Sequence, residues 1–208
     1  KQSRDREGAD RKTGTFDLRT AQSGHFAKEI STFDEHMLTG IERIAKGLDE
    51  VHNRCACFKT NLLLECTAGQ GSAIGWQFEQ LAEILKRVRD ATRLGVCLDT
   101  CHLFAAGYDF RTLETYAAMI DKLDSAIGLA QVRCIHTNDS KRELGSRVDR
   151  HEHIGKGQIG KSGFAHFLND PRFREVPFIL ETPKGEDKKG RDLDRLNVHQ
   201  LRRLVQKQ

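Results

Sequence analysis

Four short apolar runs recur along the chain, and each ends in a side chain able to ligate a cation. Asn61-Leu62-Leu63-Leu64 stops at Glu65, Leu94-Gly95-Val96-Cys97-Leu98 at Asp99, Gln131-Val132-Arg133-Cys134-Ile135 at His136, and Val176-Pro177-Phe178-Ile179-Leu180 at Glu181. The end residues follow one another at intervals of roughly 35–45 residues, room for one strand, one helix and their connections. Helical patterns fill the intervals, around Phe78 to Asp90, Leu113 to Ala126 and Gly163 to Leu168, and a basic amphipathic helix from Asp192 to Val205 closes the chain. Upstream, Met37, Leu38, Ile41, Ile44, Ala45, Leu48 and Val51 keep the i, i+3, i+4, i+7 spacing of one more helix. Short apolar strands alternating with helices build βαβ units and a parallel sheet, so the fold class is α/β.

In a (β/α) barrel, polar residues at the carboxyl ends of the strands gather at one face, where chemistry sits. Four successive strands would therefore bring Glu65, Asp99, His136 and Glu181 together. Any one of them alone reads as a strand-end side chain facing water or capping a helix. All four together are the oxygen and nitrogen donors that suit Zn, Mn or Mg. A second set lies in the loops that follow. His102 stands three residues beyond Asp99, and Asp149-Arg150-His151 places a carboxylate and an imidazole two apart. Two His and one Asp with an open fourth position make a zinc site that keeps a water; the alternative is a solvated loop.

The rest of the chain sets bounds. Residues 1–35 have little apolar periodicity and are expected to be an unrelated, disordered leader, with a single domain over 36–208. No stretch approaches the roughly 18 consecutive apolar residues of a membrane span, and no signal sequence opens the chain, so no membrane association is expected. A net charge of +4 permits a polyanionic partner without arguing for one. The six Cys contain no C-x-x-C. Cys97 and Cys134 fall inside apolar strands and Cys66 and Cys101 flank ligand candidates, so they are read as reduced packing residues of a cytoplasmic protein, with Cys55 and Cys57 a weaker candidate for a soft metal pair. Gly155-Lys-Gly-Gln-Ile-Gly160 has the G-x-G-x-x-G form, but no strand runs directly into it, and no nucleotide cofactor is expected. Trp76 and Tyr108 have two readings, stacking on a nucleic acid or anchoring core and loop.

Longer motifs carry a resemblance. Gly95-Val-Cys-Leu-Asp-Thr-Cys-His102, Phe104-Ala-Ala-Gly-Tyr-Asp109, His136-Thr-Asn-Asp-Ser-Lys141 and Gly145-Ser-Arg-Val-Asp-Arg-His151 resemble the endonuclease IV family of apurinic/apyrimidinic endonucleases. Leu64-Glu-Cys-Thr-Ala-Gly-Gln-Gly71 and Ile179-Leu-Glu-Thr182 fit as well. The resemblance covers about Gly40 to Thr182 and corresponds to the C-terminal part of that enzyme.

It implies a TIM-barrel-type (β/α) fold present as its C-terminal half, four strands where the closed barrel has eight. It implies a zinc-dependent hydrolase that cuts double-stranded DNA 5′ to abasic sites in base excision repair. By the resemblance, Glu65 bridges the first two metals; Asp99, His136 and Glu181 complete the second; His102, Asp149 and His151 hold the third. Glu65 and Glu181 are the catalytic candidates. Lys141, Arg147 and Arg150, beside Arg142 and Lys156, are candidates for phosphate contacts. The family's first metal also takes two upstream His, one in a His-Pro-Gly type turn, and that motif is absent; His25 and His36 are poor substitutes. Two zinc ions or fewer are therefore expected here, against three in the complete site. Two alternatives stand beside the nuclease. One is a metal-dependent sugar isomerase or epimerase of the same barrel class, and the other is a truncated, inactive remnant.

Overall fold

The computed structural model describes residues 33–206. The expected leader lies almost wholly outside them. The described chain opens with α1 (Glu35–Arg54), whose N-cap Asp34 accepts from the Met37 amide at 2.7 Å. Ile41 and Ala45 of its apolar stripe are buried and Met37, Ile44 and Leu48 pack beside them, while Val51 stays exposed.

β1 (Leu62–Glu65), β2 (Leu94–Asp99), β3 (Val132–His136) and β6 (Phe178–Ile179) form one parallel sheet in the order β1-β2-β3-β6. Between them run α2 (Phe78–Arg87), α3 (Thr100–Ala106), α4 (Leu113–Ala126) and α5 (Gly160–Asn169), and α6 (Leu193–Arg202) follows β6. α1 packs on α2, α2 on α4, α4 on α5 and α5 on α6. All six residues of β2 are buried, as a strand covered on both faces requires. Aromatic rings fill the helix side of the core: Phe110 meets Phe167 at 5.3 Å and Tyr116 meets Phe167 at 5.1 Å, both edge-on. Each such ring contributes about 1.5–3 kcal/mol through burial.

Several boundaries differ from the sequence pattern. The segment after Asp99, expected as a loop, is helix α3. Asp99 caps it by accepting from the His102 amide at 2.9 Å, and Gly107, left-handed at φ 104°, ends it. The fourth apolar run pairs only over Phe178–Ile179; Pro177 just before it has no amide to donate, though its carbonyl accepts from the Ile135 amide at 2.9 Å. The loop after β3 contains an antiparallel pair, β4 (Asp139–Ser140) with β5 (His151–Glu152).

The G-x-G-x-x-G segment explains how that pair is held. The amides of Gly155, Gly157 and Ile159 donate to the Asp139 carboxylate at 2.9, 3.0 and 3.0 Å, and the Ser140 amide joins them at 2.8 Å. The amide cluster that such a loop offers a phosphate is filled by the protein's own carboxylate. Gly157 is required by close approach, since a Cβ there would sit 2.3 Å from the Ser140 carbonyl oxygen.

Among the described residues, β1 and β6 are the sheet edges. Leu63 on β1 and Ile179 on β6 are 37% and 47% exposed. No helix among the described residues is long and apolar enough to cross a membrane.

Candidate metal centre

Parallel strands in register end side by side, so their last residues share one rim. Asp99 and His136 are direct neighbours across β2 and β3, and Glu65 lies beside Cys97 on the other flank. Glu181 stands two residues past the end of β6. Donor atoms of Glu65, Asp99, His136 and Glu181 all lie within 4.8 Å of one another. His136 Nδ1 is 2.9 Å from Glu181 Oε2 and 3.2 Å from Glu65 Oε1.

The second set is equally compact. His102 Nε2 lies 3.2 Å from Asp149 Oδ2, His151 Nε2 lies 3.2 Å from Asp149 Oδ1, and one donor from each of the three falls within 4.8 Å of the others. His102 comes from the first turn of α3, not from a loop, and His151 from β5. The two sets touch through Glu65, whose Oε1 is also 3.3 Å from His102 Nδ1. They touch again through Asp99, whose Oδ2 is 3.7 Å from His151 Nε2.

The donor chemistry fits cations. His151 Nδ1 faces the Glu181 carbonyl at 3.2 Å, and a carbonyl only accepts, so Nδ1 carries the proton. Its Nε2, buried and without a hydrogen bond, faces two carboxylates. His102 is braced the same way, with Nδ1 at 2.9 Å from the Cys66 carbonyl. Orienting a ligand imidazole through its other nitrogen is the usual support of a metal site.

Electrostatics agree. Burial pushes the Asp99 carboxyl above its ordinary value, against the pull of His102 and His151. Burial also disfavours a charged His102, yet the Glu65 hydrogen bond and the charges of Asp99, Asp149 and Glu65 outweigh it and lift the imidazole to about 10. Burial raises Glu65 too, but the His102 and His136 contacts prevail and hold its carboxyl below the usual range.

A model of the xylose isomerase-like TIM barrel matches residues 21–199. The chain belongs to that family. Within it, the chain is 50% identical over 166 residues to "Probable endonuclease 4" of Chloroflexus aggregans, covering 80% of this chain and 57% of that one. It is 49% identical over 169 residues to the protein of the same name from Geobacter sulfurreducens, covering 81% and 56%. The crystal structure of endonuclease IV from Thermus thermophilus superposes with a TM-score of 0.67 at 41% identity, covering 79% of this chain and 57% of that one. The chain thus spans a little over half the length of the relatives it matches. The α/β barrel class and the likeness to endonuclease IV read from the motifs both hold, and the four-stranded sheet is part of such a barrel.

Of the other candidates, Lys141 and Arg150 are exposed and adjoin across the β4–β5 pair, the Lys141 amide donating to the Arg150 carbonyl at 2.9 Å. Arg147, the one described non-glycine residue at positive φ (52°), lays its guanidinium over the Trp76 ring at 3.8 Å. Arg142 and Lys156 are exposed. Tyr108 stacks on Phe78 at 4.2 Å as an internal anchor. His36 and His52 join no donor cluster among the described residues, nor do Cys55 and Cys57; His25 lies outside them.

Asn138 escaped the sequence reading. It is fully buried, its Nδ2 donates to Asp99 Oδ2, and its Oδ1 accepts from the Glu181 amide at 2.9 Å. Thr100 locks it, accepting from the Asn138 amide at 2.8 Å and donating to its carbonyl at 2.7 Å. Polar residues after a strand read as solvated loop, and only the unbroken Thr-Asn-Asp-Ser run behind His136 hinted at a buried network.

Proposed function

We propose that this chain carries the metal-bearing part of a zinc-dependent endonuclease that hydrolyses the phosphodiester 5′ to abasic sites in double-stranded DNA, in base excision repair within the cell. The supporting observation is the contact between two donor sets through Glu65, whose Oε1 lies 3.2 Å from His136 and 3.3 Å from His102. Adjoining cation sites that share a carboxylate suit phosphoryl chemistry, where both the attacking and the leaving oxygen need neutralising. The relatives' shared name, endonuclease 4, supports the same reading.

In this proposal Glu65, Asp99, His136 and Glu181 hold one zinc ion and His102, Asp149 and His151 another. Zinc, when bound, acidifies water and screens phosphate charge. Asp99, with a side chain 0% exposed, is a holding group. Glu65 and Glu181, with side chains 36% and 44% exposed, face the solvent side where a substrate phosphate would lie. Glu181 is placed to take the proton of an attacking water, and Glu65 to hold both halves of the site at fixed separation. Lys141, Arg147 and Arg150 border the same rim and would meet backbone phosphates, each contact steepening the salt dependence of binding. An abasic nucleotide has no base to unstack, so turning it toward the rim costs less than for an intact one, which favours the damaged site.

The test is to measure zinc per purified chain and then incubate the loaded protein with a duplex bearing one abasic site. Nicking on the 5′ side that a chelator abolishes is the expected result. A folded, zinc-loaded chain that neither cuts nor prefers the abasic duplex overturns the proposal and leaves the inactive remnant. One Mn or Mg per chain with sugar turnover would establish the isomerase instead, a reading that the second donor set disfavours.

A further inference from the structure

Side chains two residues apart on a strand share a face. One step below Asp99 and His136 on that face stand Cys97 and Cys134, which are direct neighbours across the β2–β3 register. Both are free thiols, 3% and 4% exposed. Their sulfur atoms and one ring nitrogen of His136 all lie within 4.8 Å of one another. The remaining thiols differ. Cys66 is committed to the backbone, its sulfur accepting from the Asp99 amide at 3.1 Å. Cys101 stands as a single thiol beside Asp99 and His151.

The rim therefore has two layers with opposite preferences. The upper layer is carboxylate and imidazole, suited to harder or borderline ions; the lower is two sulfurs. His136 belongs to both, since the nitrogen that meets Glu181 at 2.9 Å sits on the ring that completes the thiol group. We infer that Cys97, Cys134 and His136 form a further, thiophilic cation site that takes a soft divalent ion such as Cd²⁺, and that filling it withdraws His136 from the carboxylate set. Binding breaks two S–H bonds, forms two S–Cd bonds and one N–Cd bond, and releases two protons to the buffer. The thiol site rests on the strand register and stands whether or not the chain is a nuclease, while the displacement rests on the zinc proposed above for the carboxylate set. Its consequence is that soft metals displace the rim cation by taking a shared ligand, with no need to compete for the carboxylates.

The experiment titrates Cd²⁺ into the full chain and follows the ultraviolet thiolate-to-cadmium charge-transfer band. One ion bound by two thiolates is expected, with Cys97→Ser and Cys134→Ser each weakening it by about tenfold or more. Cys101→Ser and the double variant Cys55→Ser, Cys57→Ser should leave it unchanged. The ¹¹³Cd resonance of the unmutated chain decides the matter if the variants fail to fold: a shift for two sulfurs supports the site, and one for oxygen and nitrogen alone overturns it. Cd²⁺ added to zinc-loaded chain should release about one zinc equivalent. A band independent of Cys97 and Cys134, or binding without zinc release, defeats the inference.

Discussion

Asn138 donates to the Asp99 carboxylate across 2.6 Å, and neither residue exposes any surface. The same carboxamide accepts from the Glu181 amide, so one side chain ties the Asp99 carboxylate at the end of β2 to the backbone of Glu181 beyond β6. Asn138→Ala would leave Asp99 Oδ2 without its neutral partner and free the Glu181 backbone. Zinc affinity should fall about 10–100-fold, the range for removing a group that orients a ligand. Stability of the metal-free chain should fall by about 1–3 kcal/mol. A competition titration with a zinc indicator and urea unfolding in chelator measure the two effects separately. Unchanged affinity would show that Asp99 needs no brace.

The amide cluster around Asp139 gives a second test. At Gly157 a Cβ would meet the Ser140 carbonyl oxygen at 2.3 Å and Asp139 Oδ1 at 2.6 Å, so Gly157→Ala must push backbone apart. A loss of about 1–3 kcal/mol is expected. Because β5 carries His151, zinc binding should weaken with it. Gly71→Ala is the contrast: nothing lies within 4 Å of its Cβ position, although its φ of 61° still carries strain. Urea midpoints of the two variants compare them, and a smaller loss at Gly157 than at Gly71 would mean that the loop yields.

What the sequence disclosed follows from what repeats along it. β2 and β3 were legible because Leu94 to Leu98 is a continuous apolar run and Val132 to Ile135 is apolar but for Arg133, and α4 because Tyr116, Met119, Ile120 and Leu123 keep one helical period. The gathering of Glu65, Asp99, His136 and Glu181 was legible because parallel strands put their ends on one rim. The network behind them was not. Asn138 and Thr100 act through contacts made between strands, and no local pattern marks which polar residue turns inward. α3 was hidden for a related reason: its seven residues are too few to show a period, and its start depends on Asp99 serving as strand end and helix cap at once.

Removing one ligand of the second set should change the metal count and not the fold. Asp149 is 48% exposed and stands between His102 and His151, so Asp149→Ala costs little packing while separating two imidazoles from their shared carboxylate. The chain is expected to bind about two zinc ions and the variant about one, read by elemental analysis. Zinc at about 100 times its dissociation constant should stabilise the intact chain by about 2.7 kcal/mol per site, and the variant should lose one such increment. A variant that keeps the full count would remove Asp149 from the ligand set.

Acid sensitivity should trace in part to Asp170, far from the rim. Burial raises its pKa, but Arg172 hydrogen bonds at 2.6 and 2.9 Å and the Tyr116 hydroxyl at 2.7 Å outweigh that and hold the carboxyl below its usual value. A group whose folded pKa lies below its unfolded one favours the folded state while ionised. Its stabilisation is complete above the unfolded value of about 3.9 and is lost as pH falls through the folded one. Asp170→Asn keeps the shape and removes the charge. It should cost about 1–3 kcal/mol at neutral pH, and the gap to the unmodified chain should narrow between roughly pH 5 and pH 3. Urea midpoints of both proteins across that range, taken in chelator so that the rim carboxylates cancel, measure the gap. A gap that stays constant down to pH 3 would show that the Asp170 charge contributes nothing to folding, leaving only the shape of its contacts with Tyr116 and Arg172.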